Sequence, residues 1–109
     1  MEQRRTRRFK LHLPLSITRT GVERVTLAGY TRNISSSGVL FTAEREPDLG
    51  GPIEYIITLN PEGPQSVTIR CIGKVLRSDR ILPDDRNSNF QVAATLERYE
   101  FVRERSARP

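Results

Sequence analysis

Phe9-Lys10-Leu11-His12-Leu13-Pro14-Leu15-Ser16-Ile17-Thr18 alternates without a break. Phe9, Leu11, Leu13, Leu15 and Ile17 fall on one side, and Lys10, His12, Pro14, Ser16 and Thr18 on the other. Successive side chains of a strand point to opposite faces, so a period of two predicts a half-buried strand. Pro14 has no N–H to give to a ladder, which predicts an edge or a bulge there. The same texture recurs downstream. Residues 24–34 read as a second strand, weakened at Gly29, and 39–43 as a short apolar one. Residues 53–59 (IEYIITL) are rich in β-formers. Residues 66–77 alternate again, with Val67, Ile69, Cys71 and Val75 on one face, and 90–96 form a last strand. Turn signals separate these runs: Thr20-Gly21, Ser35 to Gly38, the loop holding Pro47, Gly50 and Gly51, Asn60-Pro-Glu-Gly-Pro64, and the polar stretch 78–89. Over 97–105 the partial apolar stripe of Tyr99, Phe101 and Val102 predicts a short helix. The last residues, 106–109, are expected to fray.

About six short strands and at most one helix predict an all-β fold. A small antiparallel barrel is favoured, because closure removes exposed edges. With 109 residues a single domain is expected, burying roughly two-thirds of the surface its unfolded chain exposes. No apolar run approaches the ~20 residues of a membrane helix, and no signal-type stretch follows the basic N-terminus. A cytoplasmic location is therefore expected. Cys71 is the single cysteine, which excludes an internal disulfide and a multi-cysteine zinc site.

The charge is unevenly distributed. Eighteen basic residues against thirteen acidic give a net charge of +5, and sixteen of the eighteen are Arg. Arg4, Arg5, Arg7, Arg8 and Lys10 stand against Glu2 alone in the first ten residues. Such a basic arm is either a solvated tail or a grip for an anionic partner.

Catalytic machinery is sparse. His12 has the parity of a surface residue and no second histidine to share a metal. Cys71 lies on an apolar face, the setting of an inert buried thiol. Asp84-Asp85 sits in a polar loop without the further oxygen ligands that calcium needs. There is no phosphate loop, no nucleophile elbow and no paired-carboxylate constellation. An enzyme is the weakest expectation, and no metal or cofactor is called for.

Two local patterns stand out. Arg4-x-x-x-Arg8 lets two guanidinium forks converge on one ligand. Asn33-Ile34-Ser35-Ser36-Ser37-Gly38 lies where one strand ends and the next begins. There Asn and Ser bond nearby backbone, and Gly38 is free to take a positive φ. In this order the two patterns resemble the PilZ domain family, the bacterial receptors for cyclic di-GMP. The likeness extends from Arg4 to about Leu96, and the two motifs are its specific part. One departure is Val92-Ala93-Ala94, where the family often has a Gly.

The resemblance implies a six-stranded antiparallel barrel over 9–96, a C-terminal helix over 97–105, and an N-terminal arm over 1–8 that closes over the ligand. It implies that Arg4 and Arg8 bind guanine edges and phosphates. Asn33 and Ser35 would contact guanine or order the turn beneath it, and Gly38 would shape that turn. Arg5 and Arg7 are second-tier candidates for phosphate contact or stacking. Gln3 occupies a position that in the family influences whether one or two ligand molecules bind. A downstream protein effector is the further partner implied. Arg4 lies so near Met1 that no upstream output domain is expected; the chain is a free-standing adaptor or a piece of a longer protein. The alternative expectation is a PilZ-like interaction module that does not bind the nucleotide. A nucleic-acid-binding barrel ranks third, because the Tyr and Phe residues are not interleaved with the basic ones as a stacking surface requires.

Overall fold

The computed structural model describes residues 9–81 and 89–102. Within them the chain forms seven strands: β1 (Pro14–Thr20), β2 (Glu23–Ile34), β3 (Gly38–Ala43), β4 (Pro52–Leu59), β5 (Val67–Arg80), β6 (Phe90–Thr95) and β7 (Arg98–Val102). The first six run in the antiparallel order β4-β1-β2-β3-β6-β5, and a β4–β5 ladder joins the two ends into a closed barrel. β5 is the longest strand and serves three partners. Residues 67–74 pair with β4, 75–80 with β6, and 68–72 with β7.

Alternation fills the barrel as the sequence predicts. Leu15 and Ile17 of β1, Phe41 of β3, Tyr55 of β4, Cys71 of β5 and Val92 of β6 all point inward and are buried. Phe41 and Tyr55 meet at 5.5 Å between ring centroids. The Tyr55 hydroxyl donates to the Thr95 carbonyl at 3.1 Å, which satisfies the polar end of a buried ring. Two strands cross the barrel wall so closely that only glycine fits. A Cβ on Gly29 would lie 1.8 Å from the Thr42 carbonyl oxygen, and one on Gly73 the same distance from that of Thr95. Gly29, read as a weak point of its strand, is thus what lets β2 lie against β3.

Three expectations are corrected. The first strand starts at Pro14 instead of residue 9. Proline begins the ladder, and the bulge falls between Ile17 and Arg19. Residues 9–13 instead run beside the end of β2, and Phe9 and Leu11 are 53% and 41% exposed, not core. The helix expected over 97–105 is a strand across Arg98–Val102; residues 103–105 lie outside the described residues. The reason is an available edge. β6 ends at Thr95, which leaves the first half of β5 unpaired on that side, and β7 takes its place. Of the residues read there as a helical stripe, Tyr99 and Phe101 stand two apart on one face of the strand, and Val102 falls on the other. Finally, Gly38 does not take a positive φ. Among the described residues only Gly21, Gly50 and Asn60 do.

Candidate functional site

The Asn33–Gly38 motif forms the corner between β2 and β3, and Ser35 builds it. The Ser35 N–H donates to the Gly38 carbonyl at 2.9 Å. Its Oγ accepts the N–H groups of Ser37 at 3.3 Å and Gly38 at 3.2 Å, and its O–H reaches the Gly38 carbonyl at 3.2 Å. One serine side chain thereby satisfies backbone groups that a tight corner would leave open. The Ser37 carbonyl accepts the Leu96 N–H at 2.9 Å, which ties the corner to the end of β6. A Cβ on Gly38 would sit 3.0 Å from the Ala94 carbonyl oxygen. Gly38 is there for close approach between strands.

A bulge aims Asn33. The β2–β3 register advances two residues on β2, from Thr31 to Asn33, for one on β3, from Phe41 to Leu40. Phe41 and Val39 are buried, so Leu40 between them faces outward, and Asn33 opposite it does the same. Arg32, the extra residue, is exposed as well. Leu40 in turn pairs with Ala93, and Ala93 with Arg77. A transverse row on the outer wall therefore reads Asn33, Leu40, Ala93, Arg77: a polar amide at one end, a small apolar floor and a guanidinium at the other. A second bulge, at Leu76, sets Arg77 in this row. Arg77 bonds Asp79 at 3.3 Å with its side chain 67% exposed, a pairing open to competition from an anion. Arg32 and Arg77 were not singled out from sequence, because bulges change strand parity and leave no mark in a hydrophobic pattern.

The chain reaches this corner from its basic end. Phe9 forms an isolated bridge to Ile34, with Phe9 N–H to Ile34 O at 2.9 Å and Ile34 N–H to Phe9 O at 3.0 Å. The residue that follows Arg8 is thus bonded between Asn33 and Ser35. Thr31, fully buried, secures the next stretch. Its Oγ1 accepts the Leu13 N–H at 2.9 Å and donates to the Leu11 carbonyl, and its own N–H donates to the Leu13 carbonyl at 2.9 Å. Asn33, Ser35 and Gly38 lie at the one corner between β2 and β3. Arg4, Arg8, Arg5, Arg7 and Gln3 lie outside the described residues.

The remaining reactive groups stand outside the motif. His12 is exposed and stacks on Tyr30 at 4.6 Å. Burial pushes the Cys71 thiol up to about 12, which keeps it protonated and unreactive. Burial, with Cys71 and Glu97 nearby, raises the Tyr55 phenol as well. No group of His, Cys, Asp and Glu suited to a metal occurs among the described residues; Asp84 and Asp85 lie outside them. An open cavity of about 290 Å³, lined by Thr20, Glu23, Arg45, Glu46, Asp48 and Phe90 among others, involves none of the motif residues.

The PilZ domain family model matches residues 2–95, a span that holds both motifs and all six barrel strands. Among solved structures, the Bacillus subtilis inhibitor of motility (MotI/DgrA) is similar, with a TM-score of 0.64 and 19% sequence identity. The alignment covers 90% of this chain and 44% of that one, so the chain spans under half of that protein's length. Comparison with curated protein sequences finds no match.

Proposed function

The chain belongs to the PilZ domain family, a family of cyclic di-GMP receptors, and on that premise we propose that it binds cyclic di-GMP on the outer wall of the barrel at the β2–β3 corner. The observation that carries this reading is the Phe9–Ile34 bridge, which joins the chain next to Arg8 to the backbone between Asn33 and Ser35. Phe9, the residue that follows the first motif, is thereby bonded within the second, whose Asn33 stands twenty-five positions after Arg8 in the sequence.

Cyclic di-GMP offers two phosphates and two guanines. Arg8 and Arg4 present forks that match guanine O6 and N7 or a phosphate edge, each good base contact worth about 1–3 kcal/mol of discrimination. Asn33 faces the same wall and offers an amide to a guanine edge. Ser35 and Gly38 hold the corner flat enough for a planar base to approach. Leu40 and Ala93 provide a small apolar floor, and Arg77 the one cation of the row. Arg5 and Arg7 are second-tier phosphate contacts, and Gln3 a candidate for setting stoichiometry. No cofactor or metal takes part.

The signal is an ordering of the arm. Positive charges crowded into the first ten residues repel one another, and the doubly anionic ligand neutralises them and draws residues 1–8 over the wall. The covered wall is the surface that a protein effector reads in the cytoplasm. The groups named on this wall are suited to holding a nucleotide, which supports a receptor. A second reading, an interaction module without the nucleotide, is favoured by the exposed Tyr99 and Phe101.

Calorimetric titration with cyclic di-GMP, on the parent and on Arg8→Ala with GTP as control, tests the proposal. Micromolar or tighter binding is expected, lost in the variant and absent for GTP. A folded parent that takes up no cyclic di-GMP overturns the receptor reading in favour of the interaction module.

A further inference from the structure

β7 is unlike the other strands. All five of its residues are exposed, and among the described residues it pairs with β5 alone. Among the described residues nothing pairs with its far edge, whose protections are its short length and the charges of Arg98 and Glu100. Arg98-Tyr99-Glu100-Phe101-Val102 has no Pro, no Lys and no bulge in its register. Its two faces differ in chemistry. Cys71 points into the barrel, so its register partner Tyr99, and Phe101 two residues on, stand on that same side. Their rings meet edge to face at 6.3 Å and are 61% and 64% exposed. The opposite face carries Arg98 and Glu100, and Glu100 is ion-paired to Arg70.

We propose that this edge is a self-association surface, on which a second copy of the chain adds its own β7 antiparallel across a two-fold axis through Tyr99. Such an axis keeps the sheet faces, so only registers that set like faces opposite each other are allowed. Centring on Glu100 sets that carboxylate against its own copy, a like-charge pair. Centring on Phe101 sets Glu100 against Val102 and makes no ion pair between described residues. Centring on Tyr99 sets Arg98 against Glu100 of the second copy, twice. It also extends the existing ion pair into an Arg70–Glu100–Arg98 row across the seam and brings four exposed aromatic rings together. Charge complementarity selects this register. The seam is small: three β7 residues of each copy face one another, with Phe101 and Val102 opposite Glu97 and Leu96, which makes the dimer a weak, transient one.

The test is analytical ultracentrifugation of the full chain up to millimolar concentration. The parent is expected to show a reversible monomer–dimer equilibrium. Arg98→Glu places like charges opposite at two positions and should weaken association roughly tenfold or more. Glu100→Arg should do the same, with its thermal midpoint close to the parent's because the Arg70 pair it loses is exposed. The two variants mixed should restore a heterodimer, because each supplies the charges the other lacks. A parent that stays monomeric throughout, variants that associate as the parent does, or a mixture that stays monomeric overturns the proposal. The first of these outcomes would leave the edge to a different strand-donating partner. None of these readouts requires nucleotide, so the outcome is independent of the receptor reading.

Discussion

Replacing Thr31 by Val removes one oxygen from a buried site and keeps the shape. In the parent that oxygen accepts the Leu13 N–H and donates to the Leu11 carbonyl. Leu11 is exposed, so its carbonyl can turn to water, but Leu13 is half-buried and packs against the core. The variant therefore leaves one amide N–H without an acceptor, at a cost of about 1–3 kcal/mol, part of it offset by the easier burial of a methyl group. A net loss of about 1–2 kcal/mol is expected, concentrated in residues 9–13. Native-state hydrogen exchange reads this directly. Protection of the Leu13 amide should fall roughly 5–30-fold, with a smaller fall at Ile34, while amides of Phe41 and Val92 change only by the global stability loss. Thr31→Ser, which keeps the hydroxyl, should return protection at Leu13. On the receptor proposal the affinity for cyclic di-GMP weakens by the same factor as the docked fraction of this stretch. An unchanged Leu13 amide, or a loss spread evenly over the barrel, would refute the idea that Thr31 anchors the stretch leading to the arm.

Other outcomes follow from the same geometry. Gly29→Ala drives a Cβ into the Thr42 carbonyl and should cost about 3 kcal/mol or more in a denaturant titration, or prevent folding. Ser35→Ala leaves the Ser37 and Gly38 N–H groups without their acceptor, so a loss of about 1 kcal/mol in stability is expected; in calorimetry the loss in nucleotide affinity should exceed that figure. Cys71 ionises at an ordinary value of 9.0 when unfolded and about 12 when folded. The folded state thus holds the proton more tightly, and its contribution to stability is complete below 9 and lost as pH rises towards about 12. The urea midpoint should fall less steeply over that range in Cys71→Ala than in the parent. A chain truncated to begin at Phe9 should keep the far-ultraviolet spectrum of the barrel and lose nucleotide binding; retained affinity would remove the arm from the mechanism.

Much of the fold was legible in the sequence because alternation is a local signal. The inward positions Leu15, Ile17, Cys71 and Val75 follow from parity alone, and turn residues bound every barrel strand. What was not legible depends on distant neighbours. Phe9 and Leu11 keep the parity of the first strand but face solvent, because Thr31 takes over the bonding of the chain at Leu13 and leads it out of the wall. Tyr99 and Val102 fit a helical period and Tyr99 and Phe101 a strand's, and the unpaired half of β5 decides for strand. The corner at Asn33, Ser35 and Gly38 was readable as a motif, yet the work of Gly38 was misassigned from φ to close packing. Arg77 joined the wall only through a bulge that composition does not record.

The order in which the barrel is sewn has a consequence for synthesis. β6 lies between β3 and β5, yet it is the last barrel strand to be made. As the chain leaves the ribosome, β3, with Phe41, and the second half of β5 wait as open edges until Phe90–Thr95 arrives. Pairings of this span are slow to close, and unpaired edges are where chains aggregate. A premature stop before β6 therefore yields a sheet with two live edges instead of a smaller barrel. Such a product is expected to depend on chaperones or be degraded, whereas a stop just after Thr95 leaves a chain that holds every barrel strand and can close the ring on release.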